Sequence, residues 1–321
     1  MKHRLLGCLI SWSAPISNRG VRMDDLDIRL LVDLLKDRIT PDKRLGQHFL
    51  LDESVVNRSI ELANSSEQLG PNSRVIEIGP GAGSLTLGLL RTGASITAFE
   101  VDQEAISHLA RVFDEVDDKL EVSNQDALLA EWPEDASHIV ANIPYQISSP
   151  LLERIQKHHS EHPLSSIVLL LQDEFAERMI INRNDTASGP LSLSLWLDFD
   201  VELDVKVPPH CFSPAPRVSS RIVRLQPTAR ALGTNRRMFR TVSSHCFANK
   251  RRKMSTLLSQ TPRRLSRNKG WHKGLWRDSI KAVIKSSPDG MTEDWQNLRP
   301  ENLTTSDWIH LTKSISSFPA D

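Results

Sequence analysis

Short apolar runs recur along the first two-thirds of the chain, and each stops at a polar or glycine-rich turn. Arg74-Val75-Ile76 runs into Glu77-Ile78-Gly79-Pro80-Gly81-Ala82-Gly83, and Ser95-Ile96-Thr97-Ala98-Phe99 ends at Glu100. Leu120-Glu121-Val122-Ser123 leads to Gln125-Asp126-Ala127-Leu128, and His138-Ile139-Val140-Ala141 ends at Asn142. Runs of this length, rich in β-branched residues and bounded by turns, read as buried strands of a parallel sheet. Between the first two, Ser84-Leu85-Thr86-Leu87-Gly88-Leu89-Leu90 reads as a helix. Strands alternating with helices predict an α/β protein with an open, Rossmann-like sheet. Residues 218–225 read as its last strand, and Pro227 closes the unit. The pattern thereby divides the chain into 23–227, the sheet domain, and 228–321, a smaller, mostly helical domain.

In an open α/β sheet, ligands bind outside the carboxyl ends of the strands. Four predicted strands end there in Glu77/Gly79, Glu100, Asp126 and Asn142, which would line one cleft. Gly79, Gly81 and Gly83 allow a tight turn and close approach of a ligand to the backbone. The spacing is Gly-x-Gly-x-Gly, neither the Gly-x-Gly-x-x-Gly of dinucleotide sites nor a P-loop. Glu100 follows Gly79 by 21 residues, an offset suited to ribose hydroxyls; the competing use is a solvated strand end. Asp102 reads as the N-cap of the next helix. Asp126 can accept from an adenine amine.

Asn142-Ile143-Pro144-Tyr145 contains the only tyrosine of the chain. An Asn carbonyl accepts from an exocyclic amine, Pro fixes the turn, and the Tyr ring offers a stacking face worth roughly 1–3 kcal/mol per base. Taken alone, the tetrapeptide serves equally well as an ordinary turn with a surface aromatic. With the glycine turn and the two acids, it fits S-adenosylmethionine beside an amine acceptor.

These segments, with others in the same order, resemble the KsgA-type rRNA adenine dimethyltransferases. The further matches are Lys43-Arg44-Leu45-Gly46-Gln47-His48-Phe49-Leu50, Gln172-Asp173-Glu174-Phe175-Ala176-Glu177-Arg178-Met179, Phe212-Ser213-Pro214-Ala215-Pro216-Arg217-Val218-Ser219-Ser220 and Phe247-Ala248-Asn249-Lys250-Arg251-Arg252-Lys253. They span roughly residues 40–260. Ile143 stands where the family more often has Leu, a volume-conserving change. The wording of Ile147-Ser148-Ser149-Pro150 is closer to the archaeal and eukaryotic branch.

The resemblance implies a class I S-adenosylmethionine-dependent methyltransferase sheet. It also implies dimethylation of the exocyclic amines of two adjacent adenines in a loop near the 3′ end of small-subunit rRNA, with S-adenosylhomocysteine as product and a part in small-subunit biogenesis. On this reading Gln47, His48 and Leu50 close over the methionine end of the cofactor. Gly79 and Gly81 pass beneath it, Glu100 holds the ribose and Asp126 the adenine. Asn142, also counted with the cofactor shell, accepts with the carbonyl of Ile143 or Pro144 from the target amine, whose lone pair then attacks the sulfonium methyl in line. Tyr145 stacks on the base and stabilises the developing cation. Positioning does most of the catalysis, after the base has left its stack. Phe212 is either a second stacking face or a staple for its loop.

Net charge is zero, 40 basic against 40 acidic residues, but it is unevenly spread. Residues 228–287 hold 16 Lys and Arg and one acid, Asp278, so the remainder is formally −15. That asymmetry assigns RNA binding to the C-terminal domain, with Lys250, Arg251, Arg252 and Lys253 as the main cluster beside Arg236-Arg237 and Arg263-Arg264. Hydrophobic content of 39% and charged content of 25% support a packed core. No apolar run reaches membrane-spanning length. Cys8, Cys211 and Cys246 are scattered, without metal-ligand spacing, which suits free thiols in a reducing compartment. The expectation is a cytoplasmic monomer needing no metal. Residues 1–22 lack acids and read as an extension, with translation starting at Met23, or as a short targeting peptide. Three other readings share the cleft: a large-subunit rRNA adenine dimethylase conferring macrolide resistance, a noncatalytic assembly or transcription factor, and a DNA adenine methylase, which more often carries Asp-Pro-Pro-Tyr.

Overall fold

The computed structural model describes residues 25–318 except 43, 117, 231 and 232, so the expectation for residues 1–22 lies outside the described residues. The chain opens with α1 (Ile28–Lys36), capped by the Asp27 side chain on the Leu30 amide. Its buried stripe, Ile28, Leu31, Val32 and Leu35, follows helical spacing. A short strand β1 (Phe49–Leu50) and α2 (Glu53–Asn64) lead into β2 (Arg74–Ile78), α3 (Ser84–Arg91), β3 (Ser95–Glu100), α4 (Gln103–Val112) and β4 (Leu120–Asn124). Then come β5 (His138–Asn142), α5 (Ser148–Glu161), β6 (Ser166–Gln172), α6 (Asp173–Glu177), α7 (Pro190–Trp196), β7 (Phe199–Val207), β8 (Phe212–Ser213) and β9 (Ser220–Pro227).

Seven strands form one sheet in the order β4-β3-β2-β5-β6-β9-β7. The first five are parallel, and β9 runs antiparallel to both β6 and β7. The expected Rossmann-like α/β sheet is therefore the one that forms, with each predicted strand within one or two residues of its place. The chain leaves β2 towards β3 and β4, then returns to the other flank of β2 as β5. That reversal makes the carboxyl ends of β2 and β5 the switch point where an open sheet holds its ligand. Two apolar clusters cover the faces of the sheet. One contains Val75, Leu87, Val140 and Ile222, the other Ile76, Ile139, Leu169 and Val223. A smaller cluster seats Val32 and Leu35 of α1 against Phe49 and Ala82, which presses β1 onto the glycine turn.

The remaining helices are α8 (Arg236–Phe247), α9 (Met254–Leu258), α10 (Lys273–Ser286) and α11 (Thr305–Ser316). Their core is built around Trp276, Trp295 and Trp308, all among the largest fully buried side chains. Rings of this size bury roughly 150–250 Å² each, which accounts for a small helical unit holding together. The same cluster takes in Ala187, Leu193 and Leu197, so α7 packs on α8 as well as on the sheet. Thr304 and Asp307 close a capping box at the start of α11.

Candidate active site

The carboxyl ends of β2, β3 and β5, with the turn after β4, converge on a cavity of about 260 Å³. Its walls bring together Gln47, His48, Leu50, Glu77, Gly79, Gly81, Glu100, Asp126, Asn142 and Tyr145, all named from the sequence, while Gly83 of the same turn does not line it. The floor is the glycine turn. Gly81 has φ of +55°, and a Cβ there would stand 3.1 Å from the Phe49 ring. Gly83 has φ of +87°, and a Cβ would meet Phe113 at 2.7 Å. A side chain at either position would strain the backbone and push the turn into the cavity or off α4.

Glu100 is buried at the end of β3 and organises this floor. Its Oε1 accepts from the amides of Val101 at 2.8 Å and Asp102 at 3.0 Å, and its Oε2 from that of Gly81 at 3.1 Å. Three of about four acceptor positions are thus taken. One is left, on a side chain that lines the cavity. Burial raises the Glu100 carboxyl above its ordinary value, and the three amides pull it back. Asp102 caps α4 through the Glu104 amide at 3.0 Å, as expected, and also receives the Gln47 side-chain nitrogen. Asp126 keeps one oxygen on the Leu128 amide at 2.9 Å and is exposed at the cavity rim.

Residues 47–50 cross the mouth as a strap. Leu50 is buried, its carbonyl accepting from Ser84 Oγ at 2.7 Å. β1 pairs antiparallel with β8, Leu50 opposite Phe212. Phe212 is itself buried in the core beneath, so of its two uses the structure selects the staple. His48 Nδ1 lies 2.7 Å from the Pro214 carbonyl, and its ring stacks beside Tyr145, with centroids 5.9 Å apart and planes at 29°. The Asn142 side-chain nitrogen donates to the His48 carbonyl at 3.1 Å. This fixes the amide so that its oxygen, without a partner among the described residues, is free to accept from a ligand.

Glu77 lines the cleft as the sequence suggested, but its burial and its partner were not foreseen, and two further contributors, Gln146 and Ser220, escaped the sequence reading. Glu77 is buried beneath the turn, holds the Thr86 hydroxyl at 2.8 Å, and is pushed up to about 8, chiefly by burial, with the Glu100 charge adding. Its place at the strand end was read from the sequence; the hydrogen bond to Thr86 was not. Gln146 packs so closely on Gly46 that a Cβ there would collide with its side-chain amide. Ser220 meets the Tyr145 hydroxyl, a long-range pairing with no local signal.

Lys250, Arg251, Arg252 and Lys253 stand apart, on the turn between α8 and α9. Lys250 pairs with Glu301 at 3.2 Å and Lys253 donates to Asn297 at 2.9 Å. Arg251 and Arg252 are exposed, with no side-chain partner among the described residues. Of the Arg236-Arg237 cluster, Arg236 is paired with buried Asp198, and Arg237 donates to the Arg267 carbonyl at 2.9 Å. Among the described residues no group of three or more His, Cys, Asp or Glu is placed to hold a metal, and no helix is long and apolar enough to cross a membrane.

The profile of the family described as "Ribosomal RNA adenine dimethylase" matches residues 40–276, most of the chain and the whole cleft. The chain belongs to this family. As a ribosomal RNA adenine dimethylase it is an S-adenosylmethionine-dependent methyltransferase acting on adenines of rRNA. It is 34% identical over 255 residues to the ribosomal RNA small subunit methyltransferase A of Gloeobacter violaceus, covering 78% of this chain and 88% of that protein. To the protein of the same description from Nitrosomonas europaea it is 35% identical over 225 residues, covering 69% and 84%. Among solved structures the dimethylase is similar to a dimethyladenosine transferase from Plasmodium falciparum. The TM-score is 0.67 at 27% identity, over 82% of this chain and 95% of that one. It is also similar to the 23S rRNA methyltransferase ErmE, with a TM-score of 0.58 at 25% identity, over 84% and 99%.

Proposed function

We propose that this dimethylase acts on small-subunit rRNA, methylating the exocyclic amines of two adjacent adenines in a loop near its 3′ end, as a cytoplasmic monomer in small-subunit biogenesis. The observation that carries the reading is the anchored amide of Asn142, whose nitrogen is occupied by the His48 carbonyl while its oxygen remains free. An acceptor held in that sense suits an –NH₂ group entering beside Tyr145. The small-subunit assignment follows the two curated relatives. The branch suggested by residues 147–150 rests on that segment alone; both of those relatives are bacterial.

The cavity fits S-adenosylmethionine by its donor set. Gly81 leaves room where a side chain would intrude, Glu100 keeps one acceptor free for a hydroxyl, and Asp126 keeps one oxygen for an amine. Gln47, His48 and Leu50 form the strap over the methionine end. Bound there, the cofactor supplies an electrophilic methyl group. Asn142 accepts from the target amine and favours a nitrogen whose lone pair is withdrawn from the ring. Tyr145 presents its face to the base and to the positive charge developing on that nitrogen. Alignment of the two reactants, not a strong base, lowers the barrier. Lys250, Arg251, Arg252 and Lys253 bind phosphates away from the cleft.

The likeness to ErmE favours a second reading, a large-subunit substrate in the same cleft. Mass spectrometry of both rRNAs, taken from cells lacking the modifications and incubated with protein and S-adenosylmethionine, decides between them. Dimethyladenosine at two adjacent positions near the 3′ end of the small-subunit RNA is expected. Dimethyladenosine only in the large-subunit RNA would establish the second reading, and its absence from both, with cofactor bound, the noncatalytic one.

A further inference from the structure

Tyr145 stands on a single helical turn, Tyr145–Ile147, after Pro144, which is slender support for a ring that must hold a base in register. Its far end is not free. The phenol oxygen lies 2.7 Å from Oγ of Ser220. Ser220 is completely buried and opens β9, between two neighbours: it pairs with Gln172 of β6 on one side and Val207 of β7 on the other. A residue laddered on both edges is a fixed point of the sheet. The next residue is clamped as well. Arg221 Nε and Lys206 Nζ both bind the Asp173 carboxylate, at 2.5 and 2.6 Å. Burial raises the phenol above its ordinary value, so the hydroxyl stays protonated and the bond persists across the physiological range.

We propose that Ser220 is a positioning residue for methyl transfer, holding the Tyr145 hydroxyl so that the ring keeps the plane on which the target adenine stacks. The His48 ring fixes one side of Tyr145, and Ser220 fixes its tip; together they leave the other face for the base. A freed ring would still bind the adenine but would present its amine over a wider range of angles. Misalignment costs turnover more than it costs affinity. The inference rests on the adenine-methylating function above.

Tyr145 is the only tyrosine of the chain, so tyrosine labelled with ¹³C in the ring gives one set of signals that reports its mobility without any turnover. In Ser220→Ala those signals are expected to shift and to show faster ring motion, and the phenol to titrate further above its ordinary value, because the Ser220 bond is what offsets its burial. With rRNA and saturating cofactor, Ser220→Ala and Tyr145→Phe should each lower kcat roughly three- to tenfold, the worth of one neutral hydrogen bond. KM for RNA, cofactor Kd and melting temperature should stay near wild type. Ser220→Thr should restore kcat. The double variant should be no worse than the poorer single, because both remove the same bond. Unchanged ring signals in Ser220→Ala, losses that multiply in the double variant, or a kcat loss that tracks a fall in melting temperature would each overturn the proposal. If the wild-type protein methylates no rRNA while the ring is released in Ser220→Ala, the functional reading fails and the anchor stands as structural only.

Discussion

Asn142 and His48, 94 residues apart in sequence, are joined by one hydrogen bond of 3.1 Å from the Asn amide nitrogen to the His carbonyl. That bond orients the Asn142 amide for the acceptor role proposed above. Asn142→Ala should lower kcat by about 10²–10³, the usual cost of removing one pre-aimed polar group, with cofactor Kd changed less than about threefold. Asn142→Asp should be no better, since a carboxylate oxygen would then face the His48 carbonyl. Stopped-flow turnover beside calorimetric cofactor binding separates the two effects; equal losses in both would take Asn142 out of the acceptor role.

Glu100 should behave in the opposite way. Glu100→Ala strips the partner from three backbone amides and, on the function proposed above, from the cofactor ribose. Hydrogen bonds to a charged group are worth about 1.5–3 kcal/mol, so cofactor Kd should rise on the order of 10- to 100-fold, and melting temperature should fall. Differential scanning fluorimetry with and without S-adenosylmethionine reads both. A variant with wild-type affinity would assign Glu100 to the turn alone.

Glu77 makes stability depend on pH. Its folded-state carboxyl is pushed up to about 8 against an ordinary 4.5. The folded protein holds this proton where the unfolded chain has released it, so the contribution is full below about 4.5 and is lost as pH rises towards 8. Glu77→Gln can keep the Thr86 bond and should flatten that slope. Each kcal/mol regained at pH 8 would raise the melting temperature by roughly 1–2 °C. Denaturant titrations from pH 5 to 8.5 test this. A slope identical to wild type would show that another group sets it.

In the basic cluster, Lys250 and Lys253 are engaged with Glu301 and Asn297, while Arg251 and Arg252 are not. Replacing both arginines by Ala should weaken RNA binding and reduce the slope of log K against log salt by roughly 1 for each phosphate that is no longer neutralised. The corresponding change at the two lysines should do less. Binding isotherms between 50 and 300 mM salt compare the pairs, and an unaltered slope in the arginine variant would move the RNA surface elsewhere.

Five of the seven sheet strands and the polar residues at their ends were legible because both depend on local pattern, apolar runs stopping where Glu100 and Asn142 begin; β6 and β7 were not read. The glycine turn was legible for the same reason, since backbone with positive φ selects its residue. Much less of the bracing could be read. Ser220 reaches Tyr145 and His48 reaches Pro214 only after the sheet has closed, and no spacing in the chain announces bonds spanning 75 and 166 residues. Charge patterning located a basic region but not its free members, because Arg236 is absorbed by Asp198, a partner from the other side of the proposed domain boundary.

The sheet order also governs how the molecule can be made. β7 is synthesised before β9, yet its place lies beyond β9, outermost in the order β6-β9-β7. Until residues 220–227 emerge, β6 keeps a bare, apolar edge, Ser-Ile-Val-Leu-Leu-Leu-Gln, and β7 has no strand to join. Translation halted in that interval would leave an edge ready to pair with other chains. The strand that buries it is β9, which also delivers Ser220, while β8 just before it pairs with the strap. The pairing that covers that edge is the one that completes the cleft, so neither can be finished before residues 220–227 have joined the sheet.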